Sequence, residues 1–427
     1  MNVSVVHAGG LGDLVLVETL IAGLRERHAG ARVTVFCRAD VAPVVSLYAL
    51  PPDDVRTFTF DPYQWALPAD AAGVLAPFLA ALPADPVDVF VSAELKSTWL
   101  GEVMAAALRP RDAIVASSDG RPGSDLLVLL RTLGLRWNAA ARRPAAVAGE
   151  HELDRYARLT GTARRSPSLR RSQRVAGDTV PLIVVFPAGA PALKHWSRSS
   201  MREAVERIAK PRGARVAVVG SERERSELEA LATDGASAPF EVVAGAADEL
   251  PRIAALIAHA DGYVGIDTGL AHLAAAYAVP GVTVYGGGTW PSYAPWRPSS
   301  AGVVAPIPCF GCQWDCAFDR AFCLERIGAN SVVAAFERAV TSRDGEPTVE
   351  TLKAYSGKER SILAAAAAVH RSAQADRAAR LRAIIRLQDV FHRYVRRART
   401  LRANANAALS DMSQRVAAAA RRLSERR

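Results

Sequence analysis

No stretch of this chain is both apolar and long enough to span a bilayer, and its first residues lack a charged segment followed by an apolar one. Neither a membrane-spanning protein nor a secretory leader is expected, so the expected location is the cytoplasm. Cysteine is scarce, at 5 in 427 residues. In a reducing compartment so few thiols do not make a disulfide framework, and their spacing matters more than their number. Disorder is excluded as well, because half of the residues are apolar, enough to bury a core in two or three domains.

Charge of one sign is missing from most of the molecule. The net charge of +10 suggests a nucleic-acid binder only until it is located. Residues 350–427 carry 18 Lys and Arg against 6 Asp and Glu, which leaves 35 against 37 in residues 1–349. A nearly neutral body gives no electrostatic footprint for a phosphate backbone, and no nucleic-acid partner is expected.

The body is built from alternating strand and helix patterns. Residues 3–7 read as a strand, residues 9–12 as a glycine turn, residues 13–28 as a helix and residues 32–37 as the next strand. Such an order implies a parallel sheet, since parallel neighbours need a crossover connection. Further strands are predicted at 55–60, 87–91 and 113–116. Cys37, on a predicted strand, is expected to be a buried apolar residue. Residues 161–178, rich in Arg, Ser and Thr and without periodicity, read as a linker. The alternation then restarts, with strands predicted at 181–186, 214–219, 241–243, 262–266 and 282–285. The expectation is two Rossmann-like α/β domains, residues 1–165 and 175–345, facing a cleft, followed by a C-terminal α-helical tail at 346–427.

Three glycine-rich loops at strand ends carry the chemistry. Gly10-Leu11-Gly12 could open a dinucleotide fingerprint, but the third glycine would fall at position 15, which is Val15. A nicotinamide-cofactor reading is therefore weak. Asp13 opens the following helix, where a carboxylate is favoured by the helix dipole, and a plain cap is the simplest account of it. In the second domain a strand runs into Pro187-Ala188-Gly189, with Lys194-His195-Trp196 just beyond. Gly265-Ile266-Asp267-Thr268-Gly269-Leu270-Ala271-His272 then ends a strand and starts a helix. Backbone N–H groups at that helix start, with the Thr268 hydroxyl, make an anion site that needs no metal, and His272 lies on the first turn. An ordinary capped helix with a core histidine would read the same way. Residues 285–289 add a third loop, Tyr-Gly-Gly-Gly-Thr.

In order and in combination these motifs resemble glycosyltransferase family 9, the heptosyltransferases, which have the GT-B fold. The resemblance runs to about residue 342 and rests on Gly10-Leu11-Gly12-Asp13, Pro187-Ala188-Gly189 with Lys194-His195-Trp196, Gly220 followed by Glu222 and Glu224, and Asp267-Thr268-Gly269 with His272, Ala275, Ala276 and Pro280. It implies an inverting transfer from a nucleoside-diphosphate sugar, usually ADP-heptose, to a hydroxyl acceptor of lipopolysaccharide, another surface glycan or, as the rival, a bacterial surface protein. It also implies roles: Asp13 as general base, Gly12 in the donor turn, Lys194, Thr268, Gly269 and His272 on the diphosphate, Asp267 on the donor sugar, and Glu222, or else Glu224, on the ribose. No catalytic metal is expected. In the first domain only Glu94-Leu95-Lys96-Ser97 is reminiscent of the family beyond the Asp13 turn. A non-catalytic sugar-nucleotide scaffold is the reading of another class, and Asp13, Lys194, Asp267 and His272 together argue against it, because binding alone does not require a base.

Two features stand apart. Cys309, Cys312, Cys316 and Cys323 follow a C-x2-C-x3-C-x6-C pattern, and four thiolates at such spacings can close a tetrahedral site around one structural zinc or iron. The tail places Ile384, Leu387, Phe391, Tyr394, Ala398 and Leu401 at steps of three and four, an apolar stripe on a long helix edged by Arg386, Arg393, Arg396, Arg397 and Arg399. The stripe must be covered by the enzyme's own body, by a second copy through residues 380–405, or by an anionic membrane surface, which would make the protein peripheral on the inner membrane.

Overall fold

A computed structural model of the chain describes residues 1–63, 71–94, 98–116, 124–145, 147, 149–171, 179–233, 240–342 and 344–376. The chain divides into two compact units, Met1–Ala364 and Ala365–Arg427. The first half of the larger unit runs β1 (Asn2–His7), α1 (Leu11–Arg27), β2 (Arg32–Arg38), β3 (Asp54–Phe58), α2 (Ala71–Ala80), β4 (Val89–Ser92), α3 (Trp99–Leu108), β5 (Asp112–Ile114), α4 (Ser124–Thr132) and α5 (Glu152–Thr160). Its five strands are all parallel, in the order β3-β2-β1-β4-β5. The second half runs β6 (Leu182–Phe186), α6 (Arg198–Ala209), β7 (Arg215–Ser221), α7 (Arg225–Thr233), β8 (Glu241–Gly245), α8 (Leu250–Ala258), β9 (Gly262–Ile266), α9 (Gly269–Ala276), β10 (Gly281–Tyr285), β11 (Ser300–Val304), α10 (Phe322–Glu325), α11 (Ala329–Thr341) and β12 (Val349–Thr351). Its sheet is also parallel, in the order β12-β11-β10-β9-β6-β7-β8. The expected pair of Rossmann-like sheets is present.

Crossover helices cover both faces of a parallel sheet, so its strands must be apolar nearly end to end. All five residues of β6, β9, β10 and β11 are accordingly buried. The winding reverses between β1 and β4 in the first sheet and between β6 and β9 in the second. At such a reversal the neighbouring loops leave toward opposite faces and open a crevice at the carboxyl ends of the strands. Residues 9–13, 93–94, 187–194 and 267–268 lie at those ends.

The two sheets share one core. Leu14 and Leu20 of α1 and Tyr156 of α5 belong to the same buried cluster as Ile257 of α8 and Leu273 of α9. A second cluster, with Val205, Leu228 and Phe336, seats α6, α7 and α11 on the other face of the larger sheet. Cys37 is buried on β2, as expected, and burial beside Asp40 pushes its thiol up to about 12.

Two stretches differ from their sequence reading. Residues 162–171 pack on the first half: Leu169 forms an antiparallel bridge with Tyr48, the Arg170 N–H donates to Leu47 O at 2.7 Å, and the Ser168 N–H donates to a carboxylate oxygen of Glu18 at 3.1 Å. A segment without periodicity can still be held by backbone pairing, which composition does not reveal. The second sheet continues to Thr351 through β12, past the point where the tail was expected to start, and the Tyr355 hydroxyl donates to Phe322 O at 2.7 Å. Residues 365–376 of the second unit are helical. The apolar stripe and segment 380–405 lie outside the described residues. Among the described residues no helix is long and apolar enough to cross a membrane.

Candidate active site

At the carboxyl end of β1 the chain turns through Gly9 and Gly10 into α1. The Gly10 N–H donates to Asp13 Oδ2 at 2.8 Å, so the aspartate does close the helix start, as the plain cap reading requires. It does more than that. Burial lifts its carboxyl to about 6; the Gly10 N–H opposes this, the negative charges of Glu152 and Asp267 add to it, and Lys194 again opposes it. Asp13 therefore feels groups from both halves of the molecule. The reason is a close approach of two helix starts. A Cβ on Gly12 would sit 2.7 Å from Cδ2 of His272, and one on Gly269 would sit 2.9 Å from the Gly12 nitrogen, so α1 and α9 can meet here only through glycine.

On the other side of the junction β9 delivers Asp267 and Thr268. The Leu270 N–H donates to Thr268 Oγ1 at 3.1 Å, capping α9. Asp267 is buried; its Oδ2 accepts from Thr289 Oγ1 at 2.7 Å and lies 3.7 Å from Lys194 Nζ, while Nζ also donates to the Asp267 carbonyl at 3.3 Å. The lysine is thus parked on the strand end where an anion would arrive. His272 is buried, and burial is the main reason its imidazole is pushed down to about 4, with Asp267 raising it and Lys194 lowering it; Nδ1 has no hydrogen-bond partner. At neutral pH it is an uncharged ring aimed at the junction rather than a cation.

A cavity of about 520 Å³ extends from this point along the carboxyl ends of β6, β7 and β8. Lys194, Asp267, Thr268 and Gly269 line one end and Glu222 and Ala246 the other. Glu222 is engaged by Arg225 through two bonds of 2.6 and 2.8 Å, and that guanidinium holds its carboxyl below the ordinary range. Glu224 is spent locally, accepting from the Ser221 N–H at 2.9 Å and the Ser221 hydroxyl at 2.7 Å. Of the two candidates for a ribose contact, Glu222 has the carboxylate that a ligand can reach by displacing one surface cation.

Several groups behind Asp13, Glu94 excepted, were not singled out from sequence. Arg155 holds Glu152 by two bonds of 3.0 and 2.7 Å and also donates to Ala93 O, both side chains being buried. Glu94 is buried as well and accepts from Ser92 and Thr98; of its motif, residues 95–97 lie outside the described residues. His7 accepts the Gly9 N–H on Nδ1 at 2.9 Å, and burial with the nearby Arg155 charge lowers its imidazole to about 3. Only the i,i+3 spacing of Glu152 and Arg155 hinted at this cluster, and such a pair is ordinary on any helix.

Cys309, Cys312 and Cys316 lie on the loop after β11 and Cys323 on the short helix α10 that follows it. They line a single small cavity of about 10 Å³ together with Phe310, Phe318 and Phe322. None is in a disulfide. Burial raises the Cys323 thiol to about 11, with the other three thiols adding to the shift. Among the described residues, however, no group of three or more His, Cys, Asp or Glu side chains is placed to hold a metal ion. The closed ligand set expected at Cys309, Cys312, Cys316 and Cys323 is not drawn together here: the four side chains share the cavity wall with aromatic rings instead.

Comparison with known proteins adds a family to this geometry. The profile of glycosyltransferase family 9 (heptosyltransferase) matches residues 126–318. Lipopolysaccharide heptosyltransferase 3 of Escherichia coli is 22% identical over 306 residues, covering 69% of this chain and 85% of that protein. Among solved structures, the E. coli heptosyltransferase WaaC with ADP-2-deoxy-2-fluoro heptose superposes with a TM-score of 0.53 at 22% identity, covering 79% of this chain and 99% of that one. A family 9 glycosyltransferase from Veillonella parvula gives a TM-score of 0.61 at 12% identity (79% and 97% covered), and E. coli ADP-heptose heptosyltransferase II gives 0.57 at 16% (80% and 98% covered). These likenesses extend over both sheets.

Proposed function

We propose that the chain is a glycosyltransferase of family 9 that transfers a heptose from ADP-heptose to a hydroxyl acceptor of lipopolysaccharide or another surface glycan, with inversion at the anomeric carbon. The observation that carries this reading is the meeting of Asp13, at the head of α1, with the α9 start, Lys194 and Asp267 at the mouth of a cavity of nucleotide-sugar size. Asp13 takes the proton of the acceptor hydroxyl as its oxygen attacks the anomeric carbon. The anomeric C–O bond to the diphosphate breaks on the opposite face, and the electron pair leaves with ADP. Lys194 and the N–H groups of Thr268 and Gly269 stabilise that departing charge, and neutral His272 donates a ring N–H to the same oxygens. Asp267, steadied by Thr289, accepts from the donor sugar hydroxyls, and Glu222 accepts from the ribose. The positive field comes from the protein, so no catalytic metal is required.

Titrating the purified chain with a panel of nucleoside diphosphates and their sugars, and reading the melting temperature, tests the donor, since a ligand that binds only the folded state stabilises it. ADP-heptose should give the largest rise, undiminished by EDTA; a response to UDP-sugars alone, or a strict requirement for Mg²⁺, overturns the reading. The anomeric configuration of the product then tests inversion directly.

The working location is the cytoplasm, with residues 380–405 meeting an anionic membrane surface or a second copy of the chain. Protein O-heptosylation of a bacterial surface protein is the second reading. The convergence of four thiols on one cavity supports a structural zinc or iron there, since such an ion binds thiolates and its coordination would draw the four sulfurs together. Elemental analysis should find about one ion per chain; metal-free protein of unchanged stability overturns that part.

A further inference from the structure

The four-cysteine segment reaches Lys194 through Trp314. Its backbone is pinned to the glycine loop after β10: the Gly311 and Cys312 N–H groups donate to Gly287 O at 2.5 and 3.1 Å, the Gln313 N–H donates to Gly288 O at 2.8 Å, and the Gly287 N–H points back to Cys323 Sγ at 3.4 Å. Gln313 and Trp314 then adopt left-handed backbone, with φ of +52° and +65°, a conformation that costs free energy for residues with a side chain. The outcome is that the Trp314 indole lies against Gly286 and Gly288. A Cβ at Gly286 would be 2.5 Å from the ring and one at Gly288 would overlap its Nε1. The ring face is turned to Lys194, whose Nζ lies 5.3 Å from the ring centre, within cation–π range.

Two costs accompany this placement. The backbone is strained at consecutive non-glycine residues, and the Trp314 Nε1–H is buried without a hydrogen-bond partner. Strain and an orphaned donor side by side, next to a cation that lines the large cavity, mark a position held for its function. We propose that Trp314 is a positioning residue for Lys194, through which the four-cysteine segment sets the affinity of the site for a diphosphate. Asp267 grips the ammonium from the strand end and the indole from the loop side, so the lysine is held extended over the cavity mouth. Without the ring it is free to swing wholly onto the Asp267 carboxylate and withdraw from the ligand.

This inference rests on the donor reading given above, and AMP, which lacks the second phosphate, separates the two. Binding of AMP, ADP and ADP-sugar to the full chain should be measured for wild type, Trp314→Ala, Trp314→Phe and Lys194→Ala, and for Trp314→Ala combined with Lys194→Ala. Trp314→Ala should weaken ADP and ADP-sugar about tenfold, leave AMP unchanged, and have no further effect once Lys194 is gone. Trp314→Phe, which keeps a ring and so preserves the fold if the alanine variant does not, should show a smaller loss with the same split. Equal losses for AMP and ADP, a loss that persists without Lys194, or wild-type affinity in both Trp314 variants would overturn the proposal while leaving the donor reading intact. A wild-type chain indifferent to all three nucleotides would remove both.

Discussion

The two glycine-led helix starts that meet at the cleft are built on different principles. The α9 side is contiguous: Asp267, Thr268, Gly269 and His272 fall within six residues, and much of its binding capacity is backbone N–H that any capped helix start offers. The α1 side offers a single carboxylate, Asp13, whose properties depend on its burial, on Glu152 of α5, itself held by Arg155, and on Asp267 and Lys194 from the other half. A diphosphate can be held by local geometry, whereas a base must be tuned by burial and by distant charges. The comparison predicts that the two sides fail in different ways when broken.

The largest effect belongs to Asp13. Asp13→Asn keeps an acceptor for the Gly10 N–H but removes the base, and turnover should fall roughly 10²–10⁴-fold with the dissociation constant for ADP-sugar unchanged. Lys194→Ala on the other side should do the reverse in kind and less in size, weakening ADP-sugar about 10–100-fold in affinity, as loss of one charge-assisted contact does. Equilibrium binding beside single-turnover rates separates them, and a large loss of donor affinity in Asp13→Asn would erase the distinction.

The same contrast decides what could be read from the sequence. Parallel strands buried on both faces tend to read as apolar runs, so β1, β2, β6, β7, β9 and β10 were legible; β11, buried throughout but opening Ser-Ala-Gly, and β12, three residues with only Glu350 half-buried, were not. The donor side was legible because its residues are neighbours in the chain. The partners of Asp13 were not, because Glu152 and Arg155 become a buried pair only when α5 packs against the end of β4. Trp314 was invisible for another reason: left-handed backbone at a non-glycine residue is imposed by tertiary contacts and leaves no mark in residue type.

The pH dependence sharpens the comparison further. Asp13 acts as a base only when ionised, and its carboxyl titrates at about 6, so kcat/KM should fall tenfold per unit as pH drops below about 6 and be level above it. His272 is already neutral and stays so down to about 4, and an ADP-sugar has no phosphate that titrates near neutrality. Donor affinity should therefore be flat between pH 5 and 8 while turnover is not. An acidic limb shared by both quantities would mean that His272 or another donor-side group titrates in that range.

The smallest effect is on stability, and it separates tuning from mere burial. The folded Asp13 carboxyl, at about 6, lies above its ordinary value of 3.8, so the fold favours the neutral form. The sign follows: protonated Asp13 costs nothing, the cost of ionisation appears as pH rises through 3.8, and it is complete above about 6. Two pH units correspond to about 3 kcal/mol for a fully buried group, and Asp13 is only partly buried, so about 1 kcal/mol is the reasonable expectation. Asp13→Asn carries no charge and escapes the cost. Its melting temperature should match that of the wild type near pH 4 and exceed it by a degree or more at pH 7, the gap opening between those values. The inactive variant would then be the more stable protein, as expected where a site holds an unfavourable charge for the sake of its chemistry. If Asp13→Asn melts at or below the wild type at pH 7, Asp13 is held ionised by its surroundings and burial does not tune it.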